Sequence, residues 1–167
     1  MGAINEAFSF ERDSSPGTRA AFSSPPAKKL FADGAEFCRI VTTANTKTGD
    51  QGNEIFGSPW WFTRETFRKI VARADPKGLG ISAVARIDLA VAKEFNPRMD
   101  WFCVIYLSQP AYGWSGKAAR QLATEGANIY LGGGAEQIFL PNLASAGAPT
   151  SSDWARLRFF GMIPIFF

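Results

Sequence analysis

The chain has 167 residues, of which 46% are apolar and 20% are charged, and this composition is that of one folded domain rather than a disordered chain. The formal net charge of +3 comes from scattered Lys and Arg, which argues against a nucleic-acid-binding face. No histidine is present, which excludes His-based triads and the common His-containing zinc sites, so proton transfer would fall to Asp, Glu, Tyr or water.

The two cysteines, Cys38 and Cys103, lie in apolar runs typical of buried strands. We expect buried free thiols in preference to a disulfide, and therefore a reducing compartment. The polar, acidic N-terminus does not have the pattern of a signal peptide, and no run reaches the roughly 20 apolar residues of a membrane span.

Residues 1–29 contain two runs rich in Ser and Pro and no sustained periodicity. We therefore predict a flexible N-terminal leader over 1–29, with docking through Phe8, Phe10 and Phe22 as the alternative. The remaining residues, 30–167, are predicted to form a single domain, because no second linker follows.

The elements of this domain follow from alternating and helical periodicity. In chain order they are strand 36–43, loop 44–53, an apolar segment 55–62, helix 64–74 with Thr63 as N-cap, helix 83–95 with Ser82 as N-cap, strand 101–107, a short strand from 111 entering a loop, strands 128–131 and 136–140, loop 144–152 and strand 154–160. The two helices are grouped in the first half. This order predicts an α+β domain in which mixed or antiparallel strands form a split β-core.

Arg39 is a charged residue within the first predicted strand, on the face that it shares with Phe37 and Val41. Two interpretations stay open. The guanidinium can reach the sheet edge while its stem packs on apolar neighbours, or it can clamp a phosphate or a carboxylate.

Trp60 and Trp61 are adjacent in a strand-like segment. Neighbouring strand residues point to opposite faces, so both rings cannot enter the same core. Either one ring lines a cleft, where it can stack on a base or on nicotinamide, or both rings pack under loops.

The most unusual segment is the triglycine 132–134, which leads through Ala135 into Glu136, Gln137 and a short apolar strand. A strand follows instead of a helix, and no GK[ST] is present, so neither a dinucleotide-binding fingerprint nor a P-loop fits. A simple hairpin is one interpretation, and a turn that presents Gln137 or Glu136 to a ligand is the other. A Gln can position a water or a ribose hydroxyl, whereas a Glu can stabilise a developing cation or accept a proton.

The order of these segments, from residue 37 to residue 142, resembles the ADP-ribosyltransferase and NAD-glycohydrolase superfamily, and within it the TNT-type bacterial NADase toxins. The matching features are the strand residue Arg39, the Gly-Ser-x-aromatic segment 57–62 and, for the TNT type, the segment 112–121 followed by the glycine turn that precedes Gln137. The resemblance implies an ADP-ribosyltransferase-like fold with these roles: Arg39 on the NAD phosphates, Ser58, Trp60 and Trp61 around nicotinamide, Gly133 and Gly134 in cofactor binding, and Gln137 as the catalytic residue with Glu136 as the second candidate.

The same resemblance implies that NAD is the substrate, that no metal takes part, and that the nicotinamide–ribose bond is cleaved by hydrolysis or by ADP-ribosyl transfer to a macromolecule. The Glu-x-Glu or Gln-x-Glu pair of the transferases corresponds here to Ala135 and Gln137, which favours hydrolysis. A toxin or effector is expected, acting in the cytoplasm after delivery by a non-classical route. Its partners would be a cognate immunity protein or a protein target.

Two other functions stay open. The aromatic content of 14% also suits a non-catalytic interaction, immunity or virion protein with an aromatic-rich binding surface. A glycosidase would need paired carboxylates, and Asp88, Asp100 and Glu136 have no spacing that supports such a pair.

Overall fold

The computed structural model describes residues 2–42, 56, 58–143 and 155–163, without the side chains of Lys77 and Phe160. The predicted loops over 44–53 and 144–152 lie outside the described residues, as does Gly57 of the Gly-Ser-x-aromatic segment.

Four α-helices and nine strands make up the described chain. In order they are α1 (Phe10–Asp13), α2 (Pro16–Ala20), β1 (Ala27–Phe31), β2 (Glu36–Val41), β3 (Trp60–Trp61), α3 (Arg64–Ala74) with a 3₁₀ turn (Asp75–Lys77), α4 (Ile81–Asp88), β4 (Trp101–Leu107), β5 (Ala111–Lys117), β6 (Gln121–Leu122), β7 (Tyr130–Leu131), β8 (Glu136–Phe139) and β9 (Ala155–Met162).

The strands form two main sheets, as a split β-core requires. One sheet has the order β1-β5-β8-β3 and the other the order β2-β4-β9, while β6 and β7 form a separate small hairpin. Every named strand pair is antiparallel. The predicted α+β class and the single small domain are confirmed.

The two predicted helices differ in how well the sequence places them. Helix α3 begins and ends as predicted, and the Thr63 hydroxyl accepts a hydrogen bond from the Thr66 amide at 3.2 Å. Helix α4 is shorter than the predicted 83–95, because the chain turns at Ala90, whose φ is 50°. The Ser82 hydroxyl does not cap it and donates instead to the Met99 carbonyl.

Two buried clusters explain why the sequence of β4 is apolar at nearly every position. One cluster, which includes Phe37 and Ile105, lies between the two sheets, and the other, which includes Ile40 and Val104, lies against α3 and α4. Strands β2 and β4 of the β2-β4-β9 sheet are therefore covered on both faces. Both cysteines are buried and free, as predicted.

The segment predicted as a flexible leader is folded onto the domain. The side chains of Phe10 and Phe22 are buried in an aromatic cluster with Trp114 and Phe139. The predicted boundary after residue 29 falls inside β1. Ser and Pro correctly mark the turns of this segment, but its packing depends on aromatic partners more than 80 residues away in the chain.

No helix among the described residues is long and apolar enough to cross a membrane.

Candidate functional site

A cavity of about 620 Å³ opens between the N-terminal segment, the edge strand β3 and the turn that follows α4. Five of the residues singled out in the sequence line it, namely Arg39, Ser58, Trp60, Trp61 and Gln137. They lie on β2, before and in β3, and on β8, so the fold brings them together from three separate parts of the chain. Such a concave, mostly apolar space with a few polar groups is typical of a small-molecule site.

Arg39 supplies the positive charge of this cavity. It is half-buried on β2, where its guanidinium carbon lies 5.7 Å from the centre of the Trp61 ring. Burial lowers the pKa of Arg39, but a guanidinium stays protonated at neutral pH. Arg39 is the one charged side chain among the described residues that line the cavity.

Gln137 is held in one orientation. Its side-chain Nε2 donates to the Ala21 carbonyl at 2.8 Å, and the residue is only 7% exposed. Because a carbonyl oxygen can only accept a hydrogen bond, the amide cannot be turned around without repulsion. Oε1 bonds to no donor in the described part of the chain. Gln137 therefore offers the cavity an acceptor with partial negative charge.

The neighbouring Glu136 lies on the opposite face of β8 and does not line the cavity. Its Oε1 accepts a hydrogen bond from the Ser115 hydroxyl at 2.6 Å and lies 3.7 Å from Lys29 Nζ. The Glu136 and Lys29 side chains are each about half exposed. Only one of the two adjacent residues can face a given pocket, and for this cavity that residue is Gln137.

Gly133 and Gly134 are not among the residues that line the cavity. The Gly133 amide donates to the Ile87 carbonyl and the Gly134 amide to the Ala118 carbonyl, each at 2.9 Å. A Cβ on Gly133 would lie 2.5 Å from the Ala118 oxygen, and the backbone there has φ of +69°. The amides of this turn are thus used to pack two chain segments closely, which sets the position of β8.

The two tryptophan rings enter different apolar clusters, as strand alternation requires. Trp61 is 1% exposed and belongs to the core between the sheets. Trp60 is half-buried, with ring centroids 5.5 Å from Phe22 and 5.2 Å from Phe139. Both rings form walls of the cavity while they pack against other side chains, which combines the two interpretations left open by the sequence.

The structure adds polar cavity residues that the sequence did not reveal, including Thr18, Asn96 and Gln121. Thr18 lies on α2, in the segment taken for a leader. In the sequence, Asn96 is marked only as part of an Asn-Pro pair directly after the predicted helix 83–95. No motif marks Gln121, because it is a single polar residue in a two-residue strand.

The carboxylates considered for a glycosidase are each engaged by a basic side chain outside the cavity. Asp88 pairs with Arg73, and Asp100 pairs with Arg98 at 2.9 Å. Together with the contact of Glu136 to Lys29, these pairs leave no carboxylate couple facing the cavity among the described residues. Nor does the described part of the chain contain a group of three or more metal-ligating side chains.

The sequence matches no protein-family model and no curated protein. Two solved structures have a similar fold. One is described as Tne2 in complex with Tni2, with a TM-score of 0.53 and 15% identity over 84% of this chain and 94% of that chain. The other is Rhs1-CT in complex with cognate immunity protein RhsI1, with a TM-score of 0.50 and 15% identity over 82% of this chain and 80% of that chain. The chain therefore shares a fold found in a complex with a cognate immunity protein.

Proposed function

We propose that this protein is an NAD glycohydrolase that acts as the toxic member of a toxin–immunity pair. The observation that carries the proposal is the arrangement of Arg39, the Trp60–Trp61 wall and the fixed Gln137 amide around one cavity. A fold shared with a chain of a complex that contains a cognate immunity protein supports membership of a toxin–immunity pair. By this proposal the site of action is the cytoplasm of a target cell.

The chemistry needs little from the protein beyond position and charge. When the bond between nicotinamide and ribose breaks, its electron pair goes to the nicotinamide nitrogen, and the ribose develops an oxocarbenium-like positive charge. Water then adds to the ribose carbon and loses a proton to solvent, which gives ADP-ribose, nicotinamide and H⁺. The catalytic task is to stabilise the developing cation and to hold the dinucleotide.

The cavity offers a group for each part of this task. The Arg39 guanidinium would bind the diphosphate, for which a planar fork of donors is well suited. Gln137 Oε1 would face the developing cation or accept a hydrogen bond from a ribose hydroxyl or from the attacking water, because its nitrogen is already bonded to Ala21. A macromolecular nucleophile in place of water would make the reaction an ADP-ribosyl transfer.

The test is to incubate the purified protein with NAD and to measure free nicotinamide and ADP-ribose by chromatography. We expect equal amounts of the two products over many turnovers, and their loss in the Arg39→Ala and Gln137→Ala variants. Nicotinamide without free ADP-ribose would identify a transferase. No nicotinamide release, together with no binding of NAD at millimolar concentration, would reject the proposal.

A second candidate is an immunity or other interaction protein, and one observation favours it. Strand β9 exposes Leu157, Phe159 and Met162, which are 37%, 53% and 62% accessible. Exposed apolar side chains close together are typical of a surface that a partner covers. Expression in bacteria separates the two candidates, because a toxin arrests growth and its Gln137→Ala variant does not, whereas an immunity protein is harmless in both forms.

A further inference from the structure

Gln121 is one of the polar cavity residues to which the sequence assigns no role. It opens β6, is half-buried and lines the same space as Arg39 and Gln137. Its side chain forms no hydrogen bond with the described residues. A half-buried amide that leaves its donors and its acceptor unused is suited to a ligand with both kinds of group.

The other two amide side chains that line the cavity are occupied. Asn96 Nδ2 donates to the Ile40 carbonyl at 2.8 Å, and its Oδ1 accepts from the Thr42 hydroxyl. Gln137 Nε2 donates one of its hydrogens to the Ala21 carbonyl, which fixes the orientation of the amide. Among the described side-chain amides of the cavity, Gln121 alone has both its nitrogen and its oxygen without a hydrogen bond to the protein.

A primary carboxamide also donates and accepts at the same time. Two carboxamides can pair side by side, with an N–H of each donating to the oxygen of the other. This pairing requires a protein amide whose nitrogen and oxygen are not already hydrogen-bonded. We propose that Gln121 is the specificity-determining residue that pairs with the carboxamide of the nicotinamide ring. The inference rests on the proposed function and extends it, because it names the residue that distinguishes nicotinamide from other pyridine bases.

The backbone around Gln121 is fixed on both sides, which a recognition residue requires. Upstream, the Ala119 amide donates to the Ala21 carbonyl at 2.8 Å, which is the oxygen that also holds Gln137. Gln121 itself pairs with Leu131 in the ladder of β6 and β7. Downstream, the Lys93 amide donates to the Ala123 carbonyl at 3.1 Å. These bonds tie the strand of Gln121 to the N-terminal segment and to the chain after α4.

The test compares two substrates that differ only at the recognised group. Nicotinic acid adenine dinucleotide has a carboxylate where NAD has the carboxamide, so its two acceptor oxygens cannot both pair with Gln121. We expect the wild-type protein to prefer NAD in kcat/KM by on the order of tenfold, the factor that one or two neutral hydrogen bonds supply. Gln121→Ala should lower kcat/KM for NAD and bring the ratio of the two substrates close to one.

Gln109→Ala is the matched control, because Gln109 is also partly buried but lies in the turn between β4 and β5, outside the cavity. It should keep the wild-type preference, and thermal unfolding of each variant shows whether it is folded. If Gln121→Ala cleaves both substrates more slowly by the same factor, Gln121 does not recognise the carboxamide and the inference is overturned, while the proposed function stands. If the wild-type protein neither cleaves nor binds NAD, the proposed function fails and this inference fails with it.

Discussion

The two faces of strand β8 differ in burial and in charge. On one face, Gln137 is buried, bonded to the N-terminal segment and open to a cavity that contains Arg39. On the other, Glu136 is about half exposed and rests between Ser115 and Lys29. One face holds a neutral amide in a shielded space, and the other holds an ion pair in water.

This difference shows that burial changes the strength of the electrostatic interactions that two chemically similar neighbours can make. A carboxylate that is half exposed and close to an ammonium group contributes little energy, because water screens the pair. A polar group that is fixed in a shielded site acts more strongly on a charge that develops beside it. The face of the neutral Gln137 is therefore a better candidate for catalysis than the face of the ionised Glu136.

The largest effect should come from replacing Gln137 by alanine, with the same replacement of its neighbour Glu136 as the comparison. Gln137→Ala removes the oriented acceptor, and we expect nicotinamide release to fall by about 10²–10³-fold, as for the loss of one pre-organised electrostatic contact. Glu136→Ala removes only the exposed pair and should leave the rate within about twofold. Initial rates at saturating NAD measure both. If Glu136→Ala loses more activity than Gln137→Ala, the active site lies on the other face of the strand.

Arg39→Lys tests the role of the guanidinium on the cavity face of the molecule. The substitution keeps the charge but loses the planar fork of donors, so we expect KM for NAD to rise by on the order of tenfold with a smaller change in kcat. Lys29→Arg makes the converse change on the Glu136 face and should alter neither constant. Steady-state kinetics of the two variants checks this, and an unchanged KM in Arg39→Lys would remove Arg39 from diphosphate binding.

A substitution in the glycine turn before β8 should affect both faces of this strand, because the turn sets the position of β8. Gly133→Ala places a Cβ against the Ala118 carbonyl in a backbone of positive φ, and should lower the free energy of unfolding by at least about 1–3 kcal/mol. Gly132→Ala is the control, because nothing lies within 4 Å of its added Cβ. Urea unfolding measures both. Equal stability of the two variants would show that close packing at this turn does not position β8.

The smallest effect at neutral pH concerns the thiols of Cys38 and Cys103, which lie next to Arg39 along β2 and across the β2–β4 pair. Burial raises the pKa of Cys38 to about 11 and that of Cys103 to about 12, above the ordinary value of 9.0. Unfolded chains therefore lose these protons first, so stability is complete below pH 9 and declines as pH rises toward 11–12. In Cys103→Ala the urea midpoint should fall less steeply with pH over this window, and a slope identical to wild type would contradict the burial of that thiol.

Local patterns in the sequence were sufficient for much of the fold. Helix α3 and strand β4 begin and end where periodicity and the Thr63 cap predict. The predicted helix over 83–95 was too long, since the left-handed turn at Ala90 has no Gly or Asn to signal it. The docking of residues 2–26 could not be predicted with certainty, because it depends on aromatic partners in β5 and β8.

The site was predictable only in part. The alternation of strand residues correctly separates Glu136 from Gln137, but it cannot say which of the two meets a cavity. The contact from Ala21 to Gln137 spans 116 positions of sequence and involves a backbone carbonyl, for which no residue type is a signal. No role could be predicted for Gln121 for a related reason, because only the hydrogen bonds of the other cavity amides distinguish it from them.

The most direct measurement is a crystal structure of the Gln137→Ala variant with NAD, in which the substrate should remain intact. The account predicts the dinucleotide in the cavity of about 620 Å³, with its diphosphate on the Arg39 guanidinium and its nicotinamide ring on the side of Gln121. A dinucleotide bound on the face of Glu136 and Lys29, or a cavity left empty by saturating NAD, would contradict it.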